Sequence, residues 1–278
     1  MAFESTSALA LLESWLASRL SADAQEWYDK KRADLGSDRE FFLAFALVPR
    51  NLGKADLDLT DQERSACTDW DPSNWTVDQA ARIALLLAGP DQSFINRLEK
   101  LCATGDVGEQ ITLYQALILY QNPESLTQRA AEGLRSNVVP VFEAVAHRNP
   151  YPQRYFDDAA WNQMVLKALF IGSSLHPIQG LDERANEPLA ATLIDSAHER
   201  WAAGREVNPE LWRCVGPFIN TNRLEDVKRA LKSDNPLSQE AARLALAASN
   251  LPEAKMLLEA TEDKVLSWEE IHQALRHV

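Results

Sequence analysis

Apolar side chains recur at spacings of three and four along almost the whole chain, which is the signature of helices with one buried face. Leu9, Leu11, Leu12, Trp15, Leu16 and Leu20 predict a first amphipathic helix, and a polar-rich helix follows over about residues 23–33. Ser37-Asp38-Arg39-Glu40 has the form of a capping box, opening a helix with Phe41, Phe42, Phe45 and Leu47 on its core side. Pro49 should stop that helix and leave Arg50, Asn51, Gly53 and Lys54 in a polar loop. Thr76 and Gln79 make a second box, ahead of a helix through Ile83, Leu85 and Leu86 to Gly89-Pro90. Phe94, Leu98 and Leu101 mark the next helix, closed by Gly105, and Ile111, Leu113, Tyr114 and Leu117 the one after, closed by Asn122-Pro123. Farther on, Asn186 and Pro188 start a long helix with Leu189, Leu193, Ala197 and Trp201 on one stripe, ended by Gly204. A short helix begins at residues 208–212 and stops at Gly216-Pro217; amphipathic helices fill the rest, the last capped by Ser267 and Glu270 and running to Val278.

No alternating run of β-branched residues bounded by turns interrupts this pattern, so the chain is expected to be all-α. Two turns share one form: Leu101-Cys-Ala-Thr-Gly-Asp106 and Leu231-Lys-Ser-Asp-Asn-Pro236 each follow a helix and precede an apolar one. That is the logic of helix-pair repeats, and it predicts one domain over residues 1–278 built as a helical hairpin stack, a HEAT- or armadillo-like α-solenoid.

Composition removes several classes of function. A net charge of −13 and the absence of a Lys/Arg run argue against a nucleic-acid binder, which needs a basic face. Three scattered cysteines, Cys67, Cys102 and Cys214, have neither disulfide-framework nor metal spacing and read as buried small hydrophobes. The start of the chain lacks a basic n-region, and apolar runs reach only about ten residues, so a cytoplasmic location without membrane insertion is expected. Asp56, Asp58, Asp61, Asp69 and Asp71 are spread through residues 55–75 without the calcium-loop order, and are expected in solvated turns and helix caps.

Residues 132–184 break the ordinary pattern. Glu143 and His147 are four apart, which places them on one face if both are helical. Asn162 and Lys167 interrupt the apolar run 159–171. Between these two helical stretches comes Arg148-Asn149-Pro150-Tyr151-Pro152, expected as a rigid, extended turn. Trp161, Trp201 and Trp212, with Tyr151, Tyr155 and Phe170, surround these positions in sequence. Aromatic walls with a few convergent polar groups hold small organic ligands; the same rings equally build a core. Lys167 either snorkels outward, pairs with Glu143, or lies buried with a depressed pKa. Arg135, Arg148 and Arg184 supply either bidentate anion contacts or caps at helix C-termini.

Familiar catalytic signatures are missing. The chain has no HExxH, GxSxG, GxGxxG or GxxxxGK, and His198-Glu199, a pair that helical di-iron hydroxylases use repeatedly, occurs once. No metal and no cofactor is expected. Glu143 or His147 could act as a general base in an enzyme, and a concave helical face could serve as a scaffold for partner proteins.

The stretch VFEAVAHRNPYP, followed by AAWNQMVLKALFIG and PIQGLDERAN, resembles the EboA family. FLAFALVPRNLGK (42–54), VGEQITLYQALILY (107–120), RAAEGLRSN (129–137) and HERWAAGREVNPELW (198–212) are similar as well, so the likeness covers about residues 36–217, leaving 218–278 as C-terminal helical hairpins. The resemblance implies metabolite traffic rather than a known reaction. EboA-like proteins belong to gene clusters that also encode a UbiA-like membrane prenyltransferase, a sugar-phosphate-isomerase-like barrel, a dehydroquinate-synthase-like protein and metal-dependent-hydrolase-like proteins. Such clusters are linked to movement of the scytonemin precursor to the periplasm in cyanobacteria. The implied role is non-enzymatic: binding or handing on a small aromatic or prenylated metabolite in secondary metabolism, beside the cluster-encoded proteins. The matching positions Arg50, Asn51, Arg135, Asn137, Glu143, Asn149, Tyr151, Asn162, Lys167, Gln179 and Arg184, together with His147 and Trp161, form the expected ligand-binding set.

Overall fold

A computed structural model describes residues 5–67, 70–261 and 266–276. Among the described residues there are seventeen α-helices, three short 3-10 turns and no strand, with one isolated antiparallel bridge between Asp56 and Thr76. The chain is all-α. Among the described residues no helix is long and apolar enough to cross a membrane. Contacts gather into two compact units, Met1–Phe156 and Asp157–Val278.

The first unit is built on the helix Val77–Ala88, where Ala80, Ala81, Ile83, Ala84 and Leu85 are wholly buried. Three alanines on that helix let Ser5–Arg19, Asp38–Leu52 and Val107–Gln115 come close against it. Its start is the expected box, with the Thr76 N–H donating to Gln79 Oε1 at 3.0 Å. Ser37 also occupies an N-cap, but its side chain makes no capping bond.

Pro49 does not stop its helix. The helix runs to Leu52 and ends at Gly53, whose φ of +81° suits a residue without a Cβ. The bond lost at Pro49 would have gone to the Phe45 carbonyl, and that carbonyl instead accepts from Arg82 Nε at 3.2 Å. Arg50 and Asn51 therefore sit in a last helical turn, not in a loop. The helix Val107–Gln115 also departs from expectation, passing into a 3-10 turn at Leu117–Leu119 before Asn122.

Two further corrections concern the central stretch. The helix Val139–Ala146 closes at His147, whose φ of −99° and ψ of 136° are extended, so Glu143 and His147 do not share a helical face. The segment after Arg148 is not extended either. Tyr151–Tyr155 is a short helix with Pro152 in its first turn, where the missing N–H has no helical partner to lose. The acidic stretch behaves as turns and caps: Thr60 and Glu63 box the helix Asp61–Ser65, and Asp71 Oδ1 accepts from the Ser73 N–H at 3.0 Å. Asp69 lies outside the described residues.

In the second unit, Asp157 caps the helix Asp158–Ile171, which buries Trp161, Met164, Val165 and Ala168 and ends at Gly172. Asn186 caps Glu187–Ala202 by accepting from the Leu189 N–H at 2.9 Å. The packing centre is Pro236–Ala248, against which Leu211–Val215, Thr221–Leu231, Pro252–Glu259 and Trp268–Leu275 all lie. Gly216 allows one of these approaches: a Cβ there would stand 2.9 Å from both the Cα and the carbonyl oxygen of Ala245. Ser267 and Glu270 box the last helix, which ends at Leu275; Val278 lies outside the described residues.

Candidate functional site

The helix Asp158–Ile171 buries one face and leaves Leu166, Leu169 and Phe170 off it, with Phe170 89% exposed. Apolar side chains gathered into one patch mark ligand or partner sites, where a single exposed ring would not. Together with Leu211, Leu237 and Leu275 these residues form the aliphatic and aromatic wall of a cleft of about 760 Å³. Its polar edge comes from Glu199, Arg200, Arg205, Glu206, Asp234 and Asn235. The volume lies within the range of small-molecule sites.

The edge is shaped by the connection after Glu187–Ala202. Gly204 turns at a φ of +65°, the Arg205 N–H donates to the Arg200 carbonyl at 2.8 Å, and Arg200 Nε donates to the Glu206 carbonyl. A second cleft of about 610 Å³ adjoins the first, and both are lined by Arg205, Glu206, Val207, Asp234 and Asn235. Its far side carries Trp201, Trp212, Lys228, Arg229 and Lys232. The rings of Trp201 and Trp212 lie 6.0 Å apart, and the Arg229 guanidinium stands 4.2 Å from the centre of the Trp201 ring.

Leu275 reaches the larger cleft from a helix held by a buried polar cluster. Glu210 is 2% exposed and accepts from the Leu175 N–H at 2.8 Å, the His176 N–H at 3.0 Å and the Ser174 hydroxyl at 2.8 Å. His272 Nδ1 lies 2.8 Å from Ser174 Oγ, and the rings of His176 and His272 stack at 4.9 Å. With the Ser174 proton given to Glu210, His272 Nδ1 carries the hydrogen and donates to Oγ. Burial, chiefly, holds the His272 pKa below its usual value, against the attraction of Glu210. The three groups do not form a nucleophilic triad. There the imidazole stands between hydroxyl and carboxylate, whereas here both groups contact the same hydroxyl. The cluster fastens the helix Trp268–Leu275 to residues 174–176.

The sequence-expected site residues fall in both units. In the second, Arg184 stacks 4.8 Å over the buried Trp161 and pairs with Asp158 at 2.9 Å. Asn162 and Asn186 exchange side-chain amide bonds of 3.1 and 2.8 Å. Gln179 is half-buried, as is Lys167, whose pKa burial lowers. None of these lines either cleft, while Phe170, Trp201 and Trp212 from the expected aromatic wall do.

In the first unit, Arg50, Asn51, Arg135 and Asn137 are exposed, and Glu143 and His147 are half-buried. The amide of Asn149 is buried and donates to the carbonyls of Tyr114 at 3.0 Å and Ala144 at 2.9 Å, while its oxygen accepts from the Tyr151 N–H. The Tyr151 hydroxyl donates to the Pro123 carbonyl at 2.6 Å. These two side chains hold the turn between helices. Sequence reasoning did not single out Arg205, Arg229, Lys232 or Glu210, although the segment 198–212 and the turn 231–236 both stood out. Among the described residues no group of His, Cys, Asp and Glu is arranged to hold a metal ion.

The family model described as metabolite traffic protein EboA matches residues 8–216. The match takes in Leu166, Phe170, Arg205 and Glu210, and stops short of Arg229, Lys232, Leu237 and Leu275. No curated protein and no solved structure matches the chain.

Proposed function

The chain belongs to the EboA family of metabolite traffic proteins, and from that premise we propose that it binds a small metabolite and hands it on without transforming it. The observation that carries this reading is the cleft of about 760 Å³, whose wall of Leu166, Leu169, Phe170, Leu211, Leu237 and Leu275 suits an apolar molecule. The finer role is metabolite movement in secondary metabolism, in the cytoplasm, beside cluster-encoded proteins that include a UbiA-like membrane prenyltransferase. The HEAT-like stacking of helix pairs belongs to the same proposal.

Ala203 is exposed and lines the cleft, so Ala203→Trp puts an indole at its edge and narrows it without altering the core. Thermal stabilisation by a metabolite extract is expected for the wild type and lost in this variant. Equal stabilisation of both proteins would remove the cleft from the account. Glu143 and Lys167 line neither cleft, and Glu143→Gln and Lys167→Met test the remaining expected set. If the ligand is held there instead, each weakens ligand-induced stabilisation with the fold intact, whereas the cleft reading expects neither to. If neither does, these two side chains do not contact the ligand.

A further inference from the structure

Five cations of the second unit are paired with carboxylates, and Arg200, Arg205, Arg229, Lys232, Lys255 and Arg276 have none within 4 Å among the described residues. Arg184, Arg213, Arg223 and Lys228 are paired with carboxylates, at 2.9 Å from Asp158, 2.6 Å from Asp182, 2.6 Å from Glu187 and 2.7 Å from Glu225. Arg243 is paired with Glu240. Of the unpaired cations, Arg205, Arg229 and Lys232 line the smaller cleft. In a chain of net charge −13, acidic partners are plentiful, so three unpaired cations around one recess form a local attraction for an anion. Glu206 and Asp234 oppose them at the shared wall, and the Asn235 amide donates to Glu206 Oε2 at 3.3 Å. Arg229 and Lys232 line the smaller cleft and not the larger one.

We infer that the two clefts are the halves of one trough for an amphipathic anion, with its apolar body against Leu166, Leu169, Phe170 and Leu237 and its carboxylate or phosphate head at Arg205, Arg229 and Lys232. This names the ligand chemistry of the metabolite-binding role proposed above and rests on it. The division of labour follows from the linings. Aliphatic side chains offer an apolar body an escape from water but cannot orient it. Guanidinium groups bind carboxylate and phosphate oxygens through fixed N–H forks, and so supply position and selectivity. Stacking on Trp201 restrains Arg229 before a ligand arrives, so less motion is lost on binding. Arg205 lines both clefts and marks where head meets body.

Calorimetric titration of the full chain with decyl phosphate, decanoate and decanol, all kept below their aggregation limits, tests this inference. The two anions are expected to bind at least tenfold more tightly than decanol, and their ratio identifies the preferred head. Arg229→Ala with Lys232→Ala alters two exposed residues and is expected to weaken both anions at least tenfold while leaving decanol unchanged. Ala203→Trp is expected to weaken all three. Decanol binding as tightly as the anions, an unaffected double variant, or no binding of any probe would overturn the inference. A neutral compound retained by the wild type and lost from Ala203→Trp would overturn it while leaving metabolite binding standing.

Discussion

Removing the buried carboxylate of Glu210 tests whether the polar cluster fastens the C-terminal helix. Glu210→Ala deletes the acceptor of the Leu175 and His176 N–H groups and of the Ser174 hydroxyl. The hydroxyl regains an acceptor in His272 Nδ1, 2.8 Å away, once the imidazole moves its hydrogen to Nε2. The two backbone donors do not, and hydrogen bonds to a charged group contribute about 1.5–3 kcal/mol each. Allowing for relaxation, the expected loss is about 3–5 kcal/mol. Glu210→Gln keeps one carbonyl acceptor but turns an NH₂ group toward the other backbone donor, so about 2 kcal/mol is expected. Urea unfolding followed by far-ultraviolet circular dichroism measures both, and an unchanged m-value assigns the change to stability. A loss below about 1 kcal/mol for Glu210→Ala would refute the anchoring role.

Arg82→Met should destabilise the first unit by about 3–5 kcal/mol, because it strands the buried Asp78 and the Phe45 carbonyl; urea midpoints check this. Gly216→Ala places a Cβ 2.9 Å from the Ala245 backbone and should cost about 1–3 kcal/mol, whereas a neutral effect would mean that the two segments separate easily. The His272 pKa is lowered in the folded protein, so the unfolded chain binds the proton more readily and stability falls as pH drops below about 6.5. His272→Gln should flatten that slope in unfolding curves taken across this window. Burial raises the Cys102 and Cys214 thiols to about 12, so both should resist a disulfide reagent at pH 8 until the chain is unfolded. Reaction at free-thiol rates would contradict it.

Helix positions were legible because periodicity and capping are local. The Asn186 cap, the Thr76 box and the Gly204 stop all come from residues within one turn of each other. Pro49 misled because its effect is decided elsewhere: Arg82, distant in sequence, satisfies the carbonyl that proline leaves bare. His147 misled in a related way, since four-residue spacing places two side chains together only if the helix reaches the second one. The clefts were least legible. Their walls are assembled from residues near 166–170, 199–211, 228–237 and 275, and no single segment carries the pattern. Asn149 illustrates the converse, a polar residue that looks like a ligand contact and is committed to two carbonyls.

Mass spectrometry of small molecules retained by the full chain, purified gently from its own host, tests metabolite binding most directly. The wild type should carry one compound near equimolar ratio, with an apolar body and an anionic head, and Ala203→Trp should carry none. A wild type with no retained compound, or the same compound at equal occupancy in both proteins, would contradict the account.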